Sequence, residues 1–374
     1  MRIKLENGKL ISGMGSANKT VDMVIEDGII SMIGDATEIN ADKTVDCSGK
    51  FIVPSVTDIH THVYPGKTAL GVEADEIGIN QGAGTIVDAG SAGCDDYPEF
   101  YEEVIKKAHT SVKAFINYSK IGLTKDGMEL SKISYFDEDK LTGVIEKYPQ
   151  SIVGIKLRAS ASVVGDLGIE AIKRGVNFAR RVKLPVMVHI GNYPPAIEEI
   201  LPLLGKGDIV THIFHGKNGG ILTEKGSVKS IVRQKYEEGV IYDIGHGSAS
   251  FDFGTAERGI KEGIIPFTIS SDLHARSFKT KLRSLSEVMT KCLICGMEER
   301  DIIKAVTLNP TRITGGTSHI FEGQRAAIAV IEVLPIKSSY NCNTGKSYTS
   351  DRSFNISLAS DKNGNIREIS SQVV

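Results

Sequence analysis

From Phe51 to about Gly315, the chain alternates short apolar segments with helical stretches at a nearly constant interval. An interval of about 30 residues is typical of strand–helix units whose consecutive strands pair in parallel. Eight such units close into a (β/α)8 TIM barrel of about 250 residues, which is the α/β fold that we predict here. The apolar segments end at eight positions, 23 to 38 residues apart: Ile59, Asp88, Asn117, Ile155, Val188, Thr211, Asp243 and Ser271.

The two ends of the chain have strand patterns and lack this alternation. Near the N-terminus, Asp27-Gly28 separates two short β-rich segments and is typical of a hairpin turn. Near the C-terminus, Ala326–Val333 is a continuous β-rich run, and Asn363-Gly364 marks a second turn. We therefore predict that residues 1–52 and 320–374 pair into one small β-sandwich domain, and that residues 53–319 form the barrel.

The charge balance excludes several classes of partner. The chain has 44 Lys plus Arg and 46 Asp plus Glu, a net charge of −2, which argues against nucleic-acid or membrane-surface binding.

Its apolar runs are far shorter than the ~20 residues of a spanning helix, and Met1–Leu10 has no apolar signal-peptide core. We predict a cytoplasmic protein that acts on a small molecule, with homo-oligomerisation left open.

The five cysteines are too few for a disulfide framework. Cys292 and Cys295 have C-x-x-C spacing, but they lie in an apolar-periodic stretch, Leu282–Met297, that predicts a helix without a second cysteine pair. We interpret them as buried helix cysteines rather than as a redox or zinc site. The other three are scattered: Cys47, Cys94 and Cys342.

Side chains able to bind metal follow the predicted barrel strands. His60 and His62, in the segment Asp58-x-His60-x-His62, are two residues apart and point to the same side of a strand. Later strands are followed by Lys156, His189, His212 and Asp272. In a barrel these positions meet at one rim, where so many unpaired polar groups would be costly to bury. Together they predict a site for divalent metal ions.

This set of residues resembles the amidohydrolase superfamily of metal-dependent hydrolases, in its dinuclear branch, and the resemblance includes the closing Asn309-Pro310. It implies two divalent metal ions as cofactors, for which Zn²⁺ suits the histidine-rich set. It further implies a division of ligands: His60, His62 and Asp272 for the more buried metal, His189 and His212 for the more exposed one, and a carboxylated Lys156 bridging both.

The resemblance also implies a mechanism. The two metals, ~3.5–4 Å apart, would share a hydroxide that attacks a carbonyl carbon. Asp272 would pass the hydroxide proton to the leaving group, so that Asp272 and Lys156 are the predicted catalytic residues. The reaction would be hydrolysis of an amide or ester bond.

Within the branch, the chain resembles a group labelled dihydroorotase-like, adenine-deaminase-like or amidohydrolase/deacetylase, which implies acetylated α-hydroxy acids as substrates; N-acyl amino acids are a further candidate. Dihydroorotases commonly have Arg after H-x-H, where this chain has Val63. Aminopurine deaminases place Glu three residues after the fifth-strand His, where this chain has Asn192. Cyclic-amide hydrolysis and adenine deamination remain alternatives, and a catalytically silent scaffold is a more distant one.

Other polar residues near the predicted rim are candidates for substrate binding. Arg158 lies two residues after Lys156 on the same strand face, where a guanidinium could hold a carboxylate. His246 lies between two glycines that allow close approach of the backbone. The full predicted set is Arg158, Asn192, His246, His274 and Arg276, and its cationic character predicts a small anionic substrate.

Overall fold

The computed structural model describes residues 1–13, 19–123, 127–278, 280, 282–341 and 346–371. Five strands precede the barrel: β1 (Arg2–Leu10), β2 (Lys19–Glu26), β3 (Ile29–Gly34), β4 (Lys43–Asp46) and β5 (Phe51–Pro54). β2 and β3 are antiparallel, with Glu26 opposite Ile29. The predicted hairpin at Asp27-Gly28 is therefore confirmed.

Seven parallel strands, neighbours in chain order, form the curled sheet of the barrel. They are β6 (Thr57–Thr61), β7 (Thr85–Ala89), β8 (Ser111–Asn117), β9 (Ile152–Ala159), β10 (Val186–Ile190), β11 (Ile209–Thr211) and β12 (Ile241–Asp243). The predicted ends at Asn117, Thr211 and Asp243 are correct. However, β9 and β10 continue beyond their predicted ends, so Lys156 and His189 lie within these strands rather than after them.

The eighth predicted strand is present as an extended segment that bridges both edges of this sheet. Thr268 forms a parallel bridge with Asp243 of β12, and Leu273 forms one with Thr61 of β6. Two further bonds fix the segment, because Asp272 N donates to His60 O (2.7 Å) and Asn309 Nδ2 donates to Phe267 O (2.7 Å). Residues 267–273 thus connect β12 to β6, as a barrel requires.

Apolar side chains from the strands fill the barrel interior, including Ile59, Val87, Phe115, Met187 and Ile209. The helices connect the strands or follow them: α1 (Ala74–Ile77), α2 (Tyr97–Phe100), α3 (Glu138–Lys147), α4 (Ala161–Val164), α5 (Ile169–Arg181), α6 (Ile197–Ile200), α7 (Ser230–Glu237), α8 (Phe253–Lys261), α9 (Leu285–Ile294), α10 (Glu299–Val306) and α11 (Thr311–Thr314). In the described part of the chain, no helix has the length and apolarity needed to cross a membrane.

Helix α9 agrees with the interpretation of Cys292 and Cys295 as buried helix cysteines. Cys292 lies within the helix and Cys295 follows it, both buried. The four described cysteines are free thiols, while Cys342 lies outside the described residues. Burial raises the pKa of the Cys47 thiol to about 11, so the buried thiols stay protonated.

Five more strands end the chain: β13 (Ile328–Leu334), β14 (Ser338–Asn341), β15 (Ser347–Ser350), β16 (Ser353–Ser360) and β17 (Ile366–Glu368). β13 pairs antiparallel with β5, which joins the two ends of the chain in one eight-stranded sheet. β1 pairs with β2 on one side and with β4 and β5 on the other, while β14 and β15 form a separate hairpin. The pairing of the ends is as predicted, but all of these terminal strands except β14 and β15 belong to one hydrogen-bonded sheet, so the division into a sandwich domain and a barrel stays a prediction.

The Asn309 side chain should contribute measurably to closure of the barrel. Asn309→Ala removes its bond to Phe267 O, and we expect a loss of about 1 kcal/mol in the free energy of unfolding in urea. The exposed Asn363, in the turn between β16 and β17, provides the control Asn363→Ala. Equal effects of the two substitutions would contradict the anchoring role.

Candidate metal centre

The predicted ligands meet at the carboxyl ends of the barrel strands. The Asp272 carboxylate lies between two histidines, with Oδ1 3.5 Å from His60 Nε2 and 3.4 Å from His62 Nε2. Lys156 Nζ lies 3.2 Å from His60 Nε2. One ligand atom each from His60, His212 and Asp272 lie within 4.8 Å of one another, and all three side chains are buried.

His189 completes the set of six predicted ligands. Its ring centroid is 4.3 Å from that of His212, and the two rings are nearly perpendicular at 80°. His189 is half-buried, whereas His60, His62 and His212 are buried, so His189 lies towards the open side of the group. The tightest group, His60 with His212 and Asp272, includes members of both predicted metal sets, and the assignment of each ligand to one metal stays a prediction.

The local backbone is shaped to bring these groups together. His212 and Asp272 adopt left-handed φ angles of 68° and 49°, which non-glycine residues rarely occupy. The loop after β12 passes directly against them through two glycines. A Cβ on Gly247 would lie 2.5 Å from Asp272 Oδ2, and one on Gly245 would lie 2.2 Å from Thr211 Oγ1. Only glycine leaves room for the site at these two positions.

Hydrogen bonds fix which nitrogen of two histidines faces the centre. His60 Nδ1 lies 2.8 Å from Thr211 Oγ1, and His212 Nδ1 lies 2.5 Å from Gly245 O. A carbonyl only accepts, so His212 Nδ1 must carry the hydrogen and Nε2 a lone pair. His212 Nε2 is buried, and none of the described residues bonds to it. A buried lone pair of this kind suits a metal ion.

The electrostatics also fit a metal site. Burial lowers the pKa of His62 to about 4 and that of His212 to about 3, and it lowers the pKa values of His60 and His189 well below the usual range. All four imidazoles are therefore neutral at pH 7. Since metal ligation requires the neutral imidazole, this set of donors fits divalent cations.

Lys156 has an environment that is unusual for a lysine. Its side chain is fully buried, and Nζ lies near His60 Nε2 and 3.3 Å from Met187 Sδ. Burial lowers the pKa of Lys156 to about 7, so at neutral pH a substantial fraction is the uncharged amine. The uncharged amine is the form that reacts with carbon dioxide.

Three buried carboxylates that the sequence analysis did not assign to the site support the ligands. Asp58 Oδ1 accepts from His60 N (3.2 Å) and Ser271 N (3.1 Å). Asp88 accepts from Val63 N (2.8 Å) and from Ser91 N (2.7 Å).

Ser91 Oγ in turn lies 3.0 Å from His62 Nδ1. The third carboxylate, Asp243, accepts from the hydroxyls of Thr211, Thr268 and Ser270. An acidic residue at the end of an otherwise apolar strand, as at Asp88 and Asp243, was the available sequence signal.

Arg158 lies beside the ligands and is already paired. It is opposite His189 in the β9–β10 ladder. Arg158 Nε lies 2.7 Å from Glu129 Oε1, and Nη2 donates to Glu129 Oε2 (3.2 Å) and Gly127 O (2.9 Å). Glu129 is 1% exposed, and this buried partner, which holds the guanidinium in place, was not predicted from the sequence.

His246 is buried, and both of its ring nitrogens have neighbours. Nε2 lies 3.0 Å from Lys291 Nζ and Nδ1 lies 2.8 Å from Gly247 O, while the ring stacks on Phe251 at a centroid distance of 5.0 Å. Lys291 is itself paired with Glu287 at 2.7 Å. A substrate contact by His246 would therefore require it to exchange one of these neighbours.

The remaining predicted substrate contacts lie at different depths. The His274 ring is 6.3 Å from the His62 ring and is buried, and its Nδ1 accepts from Arg276 N (3.1 Å). Arg276 and Asn192 are exposed on the loops after the eighth segment and after β10. His274 is thus the buried one of these three, and its ring lies near that of His62.

Curated relatives of this chain include three deacetylases. One from Agrobacterium fabrum is 36% identical over 339 residues, which cover 89% of this chain and 83% of that protein. One from Brucella anthropi is 36% identical and covers 86% of this chain and 82% of its own length. One from Enterococcus faecalis is 33% identical and covers 82% of both. No protein-family model matches the chain.

Solved structures with the same fold include two with high overall similarity. One, described as a dihydroorotase, has a TM-score of 0.93 and 33% identity and covers 100% of this chain and 99% of its own. Another, described as an adenine deaminase, has a TM-score of 0.89 and 29% identity and covers 98% of this chain and 99% of its own. Both match the barrel together with the terminal sheet.

The contact between Gly247 and Asp272 leads to a prediction about metal binding. In Gly247→Ala the new methyl group must displace the Asp272 carboxylate, so we expect affinity for Zn²⁺ to fall by about 10–100-fold, as when a ligand's support is lost. Titration calorimetry on the metal-free protein measures this change.

Gly263 provides a matched control. It also has a positive φ, of 87°, but a Cβ there would meet nothing within 4 Å. Gly263→Ala carries the same kind of backbone strain without touching the site. If both variants bound Zn²⁺ as tightly as the wild type, the steric argument would be wrong.

Proposed function

Because the chain belongs to the amidohydrolase superfamily of metal-dependent hydrolases, we propose that it is a dinuclear enzyme that removes an acyl group from a small anionic amide or ester. The observation that carries the proposal is the buried group of His60, His212 and Asp272, with a lone pair on His212 Nε2 that no described residue uses. The deacetylase relatives support an acetyl group as the part removed.

We propose the following roles for the residues of the site. His60, His62, His189, His212, Asp272 and a carboxylated Lys156 would hold two divalent ions, which we propose to be Zn²⁺. When bound, such ions polarise the scissile carbonyl and activate water. Asp272 would accept the proton of the attacking water and deliver it to the leaving group. Burial raises the pKa of Asp272, which makes its carboxylate a better proton acceptor.

Arg158 is the residue that we propose to select an anionic substrate. Nη2 donates to Glu129 and to Gly127 O, and Nε lies against the Glu129 carboxylate as an ion pair without a hydrogen bond, so Nη1 would be the group that binds a substrate carboxylate. The two charged ligands, Asp272 and a carboxylated Lys156, would offset only part of the positive charge of two divalent ions, and a fixed guanidinium beside them would give a substrate carboxylate a defined place to bind. Acetylated α-hydroxy acids and N-acyl amino acids have a carboxylate next to the scissile group.

The two structural relatives suggest cyclic-amide hydrolysis and adenine deamination as alternatives. The residue typical of each alternative is replaced here. Val63 stands where dihydroorotases commonly have Arg, and the exposed Asn192 stands where aminopurine deaminases have Glu. A deaminase would release ammonia from adenine, and a dihydroorotase would open a cyclic amide. Both reactions belong in the substrate panel that tests the proposal.

The substrate proposal is tested with matched pairs of compounds. We expect N-acetyl amino acids or acetylated α-hydroxy acids to have kcat/KM values higher than their neutral methyl-ester or amide counterparts. An ion-assisted contact is worth about 1.5–3 kcal/mol, or roughly 10- to 150-fold in kcat/KM. Equal values within each pair would refute the anion preference, and turnover of adenine or dihydroorotate alone would refute the deacylase assignment.

Variants of the Arg158 pair locate the origin of that preference. Arg158→Met alone would leave the Glu129 carboxylate buried without its partner, so the informative variant is the double substitution Glu129→Gln with Arg158→Met. We expect the double variant to lose most of the preference and Glu129→Gln alone to keep it. Arg174→Met, at an exposed position on α5, is the control for loss of one positive charge.

A further inference from the structure

We propose that Asp243 is a positioning residue that fixes the hydrogen-bearing nitrogen of His60 and ties His60 to His212 through one buried carboxylate. Asp243 is the last residue of β12 and is fully buried. Its carboxylate accepts from the hydroxyls of Thr211, Thr268 and Ser270, and these hydroxyls stand between it and the predicted metal ligands. The inference rests on the proposed function in that His60 and His212 are taken as metal ligands.

The route to His60 passes through Thr211. Thr211 Oγ1 donates its only hydrogen to Asp243 Oδ2 (2.7 Å). The same oxygen lies 2.8 Å from His60 Nδ1 and can there act only as an acceptor. His60 must therefore carry its hydrogen on Nδ1, which leaves the Nε2 lone pair facing Asp272 and Lys156.

The route to His212 passes through Ser270 and Gly245. Ser270 Oγ donates to the same Asp243 Oδ2 (2.7 Å) and accepts from Gly245 N (3.1 Å). The Gly245 carbonyl oxygen then accepts from His212 Nδ1 (2.5 Å). Asp243 Oδ2 thus accepts hydrogen bonds from two hydroxyls, one connected to His60 on β6 and the other connected to His212 directly after β11.

Thr268 distinguishes this role from a general structural one. Its hydroxyl donates to the other carboxylate oxygen, Asp243 Oδ1 (2.8 Å), and it is as fully buried as Thr211. Unlike the Thr211 hydroxyl, the Thr268 hydroxyl has no hydrogen bond to a histidine among the described residues. Thr211→Val and Thr268→Val therefore remove the same group from the same carboxylate, but only the first removes a histidine support.

The test follows the histidine nitrogens of the metal-free protein by ¹⁵N NMR, together with Zn²⁺ affinity by chelator competition. In Thr211→Val we expect His60 to populate the form with hydrogen on Nε2, and Zn²⁺ affinity to fall by about 10–100-fold. Thr268→Val should leave both readouts close to wild type, and Thr211→Ser, which retains the hydroxyl, should restore them. Asp243→Ala should alter the signals of His60 and His212 together.

Two results would overturn the inference: an unchanged His60 signal and Zn²⁺ affinity in Thr211→Val, or an equal loss in Thr268→Val. If Thr211→Val fails to fold, Thr211→Ala removes the same hydroxyl and carries the same test. If the wild type binds no Zn²⁺, the proposed function fails, whereas the histidine signals of the metal-free proteins still decide whether Asp243 sets the His60 tautomer.

Discussion

The pairing of the first and last barrel segments is the interaction on which the site depends. Asp272 N donates to His60 O (2.7 Å), and His62 N donates to Leu273 O (3.0 Å). These two bonds join residues more than 200 positions apart and place the Asp272 carboxylate beside both histidines. Ser271, which donates its hydroxyl to Asp58, strengthens the same junction. The bonds that close the barrel between its first and eighth segments thus also hold the candidate metal ligands together.

Burial shapes the chemistry of the site. Taking imidazoles, an amine and carboxylates out of water favours their neutral forms, which explains the lowered histidine and Lys156 pKa values and the raised pKa of Asp272. The neutral imidazoles and amine have free lone pairs, and a carboxylate with a raised pKa accepts a proton more readily. The cost of burying them is offset by hydrogen bonds from hydroxyls and backbone amides to Asp58, Asp88 and Asp243.

The strand–helix period predicted the barrel because a buried parallel strand needs a continuous apolar run, and such a run is visible in sequence. The H-x-H spacing predicted that His60 and His62 face the same side, because alternate strand residues point to one face, and in the structure both rings lie near Asp272. The end of β9 was less visible, because Lys156 is a buried polar residue and the strand continues past it to Ala159. The eighth strand was predicted, but it forms only single bridges to its neighbours.

Particular side-chain contacts between distant segments could not be predicted from the sequence. Nothing local connects Glu129 to Arg158 or Thr211 to His60, since each pair depends on how a loop or a neighbouring strand is placed. His246 was singled out because glycines flank it, but those glycines also make room for Thr211 and Asp272. A pattern in sequence thus identified the right segment but did not identify all its contacts.

The central claim is that this buried group of histidines, lysine and aspartate holds a pair of metal ions. The most direct measurement is the metal content of the purified chain by inductively coupled plasma mass spectrometry, after growth with zinc and without chelators. We expect about two divalent ions per chain, as a two-metal site requires. A chain that is fully folded and binds no metal, or only one ion at saturation, would contradict it.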